Sequence, residues 1–228
     1  MGPSLECLRV GALETNCWIY PLAGEDGKAA LIDPGDDARF IITRLERLRL
    51  YPRYILLTHG HFDHLAALPE LYAAFTGSPP PGEKKPLIAI HRLDGVYLGE
   101  AAYENHRRSF AALGAGSYVD SLWKPLPPAG RLLAEGDTIG PFKVLHLPGH
   151  SPGSAAYYDE GAAILFSGDV LFRGDQGRTD LPGGSPAAME TSLRRLLALP
   201  AETKVFPGHG PDTAIGNEGG LFRQPYLM

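Results

Sequence analysis

Apolar residues along this chain come in short runs closed by glycine, proline or aspartate, the signature of strands bounded by turns. Leu5 to Val10, Cys17 to Tyr20 and Ala29 to Ile32 read as strands, with Gly24-Glu25-Asp26-Gly27 turning between the last two. Asp33-Pro34-Gly35 ends the third, and Ala38 to Arg49 then reads as a helix with Ile41, Leu45 and Leu48 on one face. Tyr54 to Leu57 predicts a buried strand. A second helix carries Leu65, Leu68, Tyr72 and Phe75, with Pro69 tolerated in its first turn. Residues 77 to 86 read as a surface loop, and Leu87 to Ile90 as a strand. Ala101 to Leu113 predicts a helix, whereas Ser117 to Gly130 reads as irregular. Strands return with a hairpin over Asp137 to Leu147 turning at Gly140-Pro141, then Ser154 to Tyr158, Ala163 to Phe166 and Lys204 to Phe206. Ser185 and Pro186 suit the N-cap and first turn of a helix that buries Met189, Leu193, Leu196 and Leu197. Strands followed by helices occur in both halves, so two sheets covered outside by helices are expected.

At 228 residues, 44% hydrophobic and 21% charged, the chain has the size and composition of one globular domain, taken here as residues 1–228. A formal charge of −5 with no basic cluster argues against nucleic acid as a partner. No apolar run is long enough to span a bilayer and Met1 to Glu6 does not resemble a signal peptide, so a cytoplasmic protein with no membrane partner is expected. Gly2 is a poor myristoylation site beside Pro3. The only cysteines, Cys7 and Cys17, read as small core residues in a reducing compartment.

The chemistry concentrates in Thr58-His59-Gly60-His61-Phe62-Asp63-His64, directly after the Tyr54–Leu57 run. Imidazole and carboxylate suit zinc and neighbouring first-row metals. His59 and His61 share a side only if extended, and Asp63 and His64 diverge unless the chain turns, so a strand end presenting two ligand pairs is implied. Three more apolar runs end the same way, in Pro148-Gly149-His150, Ser167-Gly168-Asp169 and Pro207-Gly208-His209. Loops at strand ends are where rigid sheets place functional groups. Five imidazoles and two carboxylates exceed the three protein ligands of a mononuclear catalytic zinc and suit two metals about 3.5–4 Å apart that activate a shared water.

The set His-x-His-x-Asp-His, then His150, Asp169 and His209, resembles the metallo-β-lactamase superfamily across nearly the whole chain. That resemblance implies an α/β (α+β) fold, a four-layer αββα sandwich. It implies His59, His61 and His150 on one metal, Asp63, His64 and His209 on the other, and Asp169 bridging. Asp33 matches a further family position, where a carboxylate orients a ligand. An aspartate at 169, where β-lactamases proper carry cysteine, points to other members. Ser167 to Phe172, Gly177-Arg178-Thr179-Asp180-Leu181-Pro182-Gly183-Gly184 and Pro207 to Gly216 resemble the short glyoxalase II-like hydrolases, as does the ending Gln224-Pro225-Tyr226-Leu227.

This resemblance implies hydrolysis of a small-molecule thioester, S-lactoylglutathione or a related glutathione conjugate, with two divalent ions: zinc first, iron or manganese on the same ligands. Asp63 would act as ligand and orient the attacking water, and Arg178 stands where relatives contact glutathione. The C-terminal helical glutathione-binding domain of the longer relatives is not expected. A mononuclear iron persulfide dioxygenase is the main alternative, since those proteins also carry Gly-Arg-Thr-Asp. A lactone hydrolase and a non-catalytic metal-binding module are lesser ones. Of the remaining histidines, His146 reads as a packed core residue, His91 as part of a surface turn, and His106 as a residue of a polar helix.

Overall fold

The computed structural model describes residues 4–77, 79, 82–100 and 102–220. Met1 and Gly2, parts of the 77–86 loop, Ala101 and the Gln224–Leu227 ending lie outside them.

Six strands form the first sheet in sequence order: β1 (Glu6–Val10), β2 (Thr15–Pro21), β3 (Lys28–Ile32), β4 (Tyr51–Leu56), β5 (Leu87–His91) and β6 (Arg131–Leu133). β1 to β3 pair antiparallel and β3 to β6 parallel. The second sheet contains β7 (Thr138–Ile139), β8 (Phe142–His146), β9 (Ala155–Asp159), β10 (Ile164–Gly168), β13 (Lys204–Pro207) and β14 (Thr213–Ala214), in the order β14-β13-β10-β9-β8-β7. A small hairpin, β11 (Leu171–Phe172) with β12 (Asp175–Gln176), interrupts it in sequence.

Alternation along the strands divides the core. Trp18, Ala30, Ile32, Leu56 and Ala89 of the first sheet meet Phe142, Val144, Ala155, Tyr157 and Phe166 of the second. The residues between them in sequence, such as Ile19, Ala29 and Leu31, pack outward on α1 (Ala38–Leu48) and α2 (Leu68–Gly77). Further along that face Ile55, Leu57, Ile88 and Ile90 are covered by α2, α3 (Ala102–Ala111) and α4 (Gly116–Leu122). Leu145, Tyr158, Leu165 and Val205 face α5 (Pro186–Leu196) on the other side. The result is the expected αββα sandwich. Ser185 caps α5 by accepting from the Ala188 N–H, with Pro186 following.

Several sequence expectations are corrected by tertiary packing. Overlapping the Ser117 to Gly130 stretch read as irregular, Gly116–Leu122 is helical because aromatic contacts hold it: Tyr118 stacks on Phe110 at 5.4 Å and the next segment's Trp123 stacks on Phe62 at 6.0 Å. Leu197 is the C-terminal cap of α5 and only half-buried. His91 is buried, not in a surface turn: its ring stacks on His146 at 4.0 Å, joining the ends of β5 and β8. His106 is also fully buried, against Phe62, Tyr97 and Trp123, with Nε2 donating to the Tyr97 carbonyl at 2.8 Å. Cys7 and Cys17 are both free thiols, but only Cys17 is a core residue; Cys7 is exposed, because its side of β1 faces away from the core. Among the described residues no helix is long and apolar enough to cross a membrane.

Candidate metal centre

β4, β8, β10 and β13 run toward one edge of the sandwich, and the chain leaving each carries candidate ligands: His59–His64 after β4, His150 after β8, Asp169 after β10 and His209 after β13. The two sheets are tied together at this edge. The Ala155 N–H donates to the Thr58 carbonyl at 2.8 Å, Tyr157 Oη donates to the Leu57 carbonyl at 2.8 Å, and the Asn16 N–H donates to the Gly208 carbonyl at 2.7 Å.

The seven predicted residues converge there. Ligand atoms of His59, His61 and His150 lie within 4.8 Å of one another, as do those of Asp63, His64 and His209, and those of His59, His64 and Asp169. Asp169 touches both sides: Oδ2 is 3.6 Å from His150 Nε2 and 3.6 Å from His209 Nε2, and Oδ1 is 3.5 Å from His64 Nε2. Asp63 Oδ2 lies 3.4 Å from His209 Nε2 and 3.6 Å from His64 Nε2.

The outward nitrogens set the imidazole orientation. His150 Nδ1 donates to the Arg178 carbonyl at 2.8 Å, and His209 Nδ1 to the Leu13 carbonyl at 3.1 Å. His64 Nδ1 is 3.0 Å from Asp33 Oδ2. Thr58 Oγ1 donates to Asp33 Oδ2 at 2.6 Å and stands 3.1 Å from His59 Nδ1, which leaves the hydroxyl free to accept from that ring. Asp33, at φ 51°, also accepts the Thr58 N–H at 2.8 Å. An imidazole whose far nitrogen donates presents a lone pair with the near one, the arrangement of metal-bound histidines.

The donor set fits cations and is poorly satisfied without them. His59 Nε2, His61 Nε2 and Asp169 Oδ1 are buried without a hydrogen-bond partner, and His64 Nε2 faces His209 Nε2 at 3.3 Å. A buried polar atom left unpaired is costly, so these atoms need an occupant. Burial and the neighbouring imidazoles hold His59 well below the ordinary histidine range, and burial with His150 beside it holds His61 at about 3. Neutral imidazole is the form that binds metal. Burial alone would lower His64, but Asp169, Asp63 and Asp33 overcome it and raise it well above the ordinary value. Burial would likewise raise Asp169 and Asp63, yet His64 leads the groups that hold both low. Two adjacent sites, one rich in imidazole and one in carboxylate, are the outcome.

Arg178 lies beside the centre with its guanidinium on Asp180 at 2.7 and 2.8 Å, while its carbonyl holds His150. Three supporting groups had no functional signal in the sequence, only Thr58 lying within the motif itself. Asn16 donates through Nδ2 to the carbonyls of Pro207 at 3.0 Å and Gly210 at 2.8 Å. Thr58 relays between Asp33 and His59, and the buried Asp94 joins two ligand loops.

The family model of the Metallo-beta-lactamase superfamily matches residues 10–209. A probable metallo-hydrolase, YqgX, of Bacillus subtilis (strain 168) is 37% identical over 216 residues, covering 92% of this chain and 91% of that protein. The hydroxyacylglutathione hydrolase GloC of Haemophilus influenzae is 33% identical over 216 residues, covering 94% of each. The crystal structure of TTHA1623 in a di-iron-bound form superposes with a TM-score of 0.76 at 39% identity, over 97% of this chain and 100% of that one. With its two-sheet sandwich, its convergent histidines and aspartates, and these relatives, the chain belongs to the metallo-β-lactamase superfamily.

Proposed function

We propose that this metallo-hydrolase is a dinuclear thioester hydrolase, with S-lactoylglutathione or a related hydroxyacyl thioester as substrate. The observation that carries the reading is the contact of Asp169 with both ligand groups, which makes them one centre. In this reading His59, His61 and His150 would hold one ion and Asp63, His64 and His209 a second, with the Asp169 carboxylate shared between them. Zinc suits the set, and iron or manganese would use the same atoms. A pair of such ions supplies Lewis acidity for the carbonyl and lowers the pKa of water near 7. Similarity to GloC over 94% of each chain supports the thioester.

The chain's own groups then position the reaction. Water adds across the thioester: a C–O bond forms at the carbonyl, the C–S bond breaks, and the thiol leaves with the proton. Asp63 Oδ2 lies 3.6 Å from His64 Nε2 and 3.4 Å from His209 Nε2, and in this reading the carboxylate would serve both as a ligand and to orient the attacking water. Arg178 is the candidate partner for a substrate carboxylate, and to serve it must exchange Asp180 for the substrate. Asp33 orients His64 directly and His59 through Thr58.

The test pairs metal analysis of the purified protein with two assays: thiol release from S-lactoylglutathione, and oxygen uptake with glutathione persulfide. Two metals per chain with thiol release are expected. One iron with persulfide-dependent oxygen uptake and no hydrolysis would establish the dioxygenase instead. Turnover of a lactone without turnover of either sulfur substrate would replace the thioester. In the hydrolase, Arg178→Ala should raise KM with kcat little changed, and an unchanged KM would remove Arg178 from the substrate site.

A further inference from the structure

Asp94 lies in the short 3-10 helix Arg92–Tyr97 that follows β5, fully buried. Its Oδ2 accepts from the Gly60 N–H at 2.8 Å and from Ser151 Oγ at 2.7 Å, and its Oδ1 from the Gly153 N–H at 2.7 Å. Gly60 separates His59 from His61, and Ser151 follows His150. One carboxylate therefore fastens the first-sheet loop, at the point between His59 and His61, to the second-sheet loop that bears His150. The fit is close: a Cβ on Gly153 would stand 2.6 Å from the Asp94 backbone nitrogen, so glycine is required for the loop to reach the carboxylate.

We propose that Asp94 is a positioning residue for the His59/His61/His150 half of the metal centre. The inference rests on the metal reading above and adds to it a residue outside the ligand set. Three donors and a buried site call for an anion, because hydrogen bonds to a charged acceptor are about twice as strong as neutral ones. Burial is the larger influence and leaves the Asp94 carboxyl above the ordinary carboxylate range, while its three hydrogen bonds and the nearby His150 favour the anion. With the anion in place the spacing between residues 59–61 and 150 is fixed before any ion arrives. Asparagine in its place would turn an N–H2 toward one of the donating N–H groups and part the two loops there. The Asp63/His64/His209 half hangs on Asp33, Asn16 and the Leu13 carbonyl and does not use Asp94.

The experiment measures zinc affinity by competition with a chromophoric chelator in two backgrounds of the full chain. His209→Ala leaves the first half intact and His59→Ala leaves the second. Adding Asp94→Asn is expected to weaken zinc roughly 10–100-fold in the His209→Ala background, the usual loss for a partner of metal ligands, and by no more than about threefold in the His59→Ala background. Thermal unfolding of each metal-free protein reports whether it folds. If Asp94→Asn does not fold, Ser151→Ala, which keeps the carboxylate and both amide donors, should show a smaller loss with the same bias. Equal losses in both backgrounds, or none in either, overturn the assignment. A wild-type protein that binds no zinc, iron or manganese overturns the metal reading itself, and this one with it.

Discussion

Gly208 sits one residue before His209, and its backbone is pinned on both sides: its N–H donates to the Gly168 carbonyl at 3.0 Å and its carbonyl accepts the Asn16 N–H at 2.7 Å. A Cβ there would stand 2.7 Å from His64 Cε1 and closer still to Asp169 Oδ1. Gly208→Ala thus aims one methyl at two candidate ligands without removing any donor. Restoring ordinary contact requires the carboxylate and the ring to retreat by roughly 1 Å, a displacement that can cost about 100-fold in rate at an active centre. Overpacking of this kind costs about 1–3 kcal/mol of stability. Expected results are loss of at least one metal per chain and about a 100-fold fall in kcat. The control is Gly210→Ala, where the added atom meets nothing within 4 Å but the backbone has φ 74°. That variant should lose about 1–2 kcal/mol from left-handed strain and keep its metals. Metal content by emission spectrometry, thiol release and urea unfolding separate the two. A Gly208→Ala protein with full metal and wild-type turnover would refute the reasoning.

Tyr157→Phe removes a fully buried hydroxyl whose 2.8 Å bond satisfies the Leu57 carbonyl, so urea unfolding should show a loss of about 1–3 kcal/mol with metal content unchanged. Asn16→Ala withdraws two hydrogen bonds from the loop that carries His209, and isothermal titration should show the weaker of two zinc sites failing first. Burial holds His106 at about 4, below the ordinary 6.5 of the unfolded chain, so the folded state favours the neutral ring. Its contribution is present above pH 6.5 and is lost as the pH falls from there through 4, because the unfolded state takes up the proton first. Between pH 7 and pH 5 wild type should lose about 2 kcal/mol more than His106→Gln in denaturant titrations, and parallel pH profiles would contradict this.

How far the centre was legible follows from where its information lies along the chain. Candidate ligands ending apolar runs are a local pattern, and each of the four strand ends needs only a few neighbouring residues to be recognised. Helices with a clean apolar face, such as α1 and α5, were legible for the same reason, down to the Ser185 cap. What stayed hidden is held by partners distant in sequence. Asp94 is a lone acid among mixed residues until Gly60 and Gly153 close on it, and α4 is too short and too glycine-flanked to be stable without Phe110 and Phe62. His91 is misplaced by reading polarity from neighbours in sequence, because its surroundings come from β8, and the burial of His106 within the aromatic cluster is invisible to the same reading. Arg178 shows the same limit within the site: its carbonyl, which every residue has, is what meets His150.

The division of the centre between the two sheets has a consequence for the whole molecule. His59 to His64 leave the first sheet and His150, Asp169 and His209 leave the second, so ions held by both sets would bind only the docked sandwich. Binding and docking then share one coupling free energy, which acts equally in both directions. Metal supply would tighten the interface of Trp18, Phe142 and Phe166, and a looser interface at those aromatics, none of them a candidate ligand, would lower affinity for metal by the same factor. Mutations in the inter-sheet core would then surface first as demand for more metal, well before the protein unfolds.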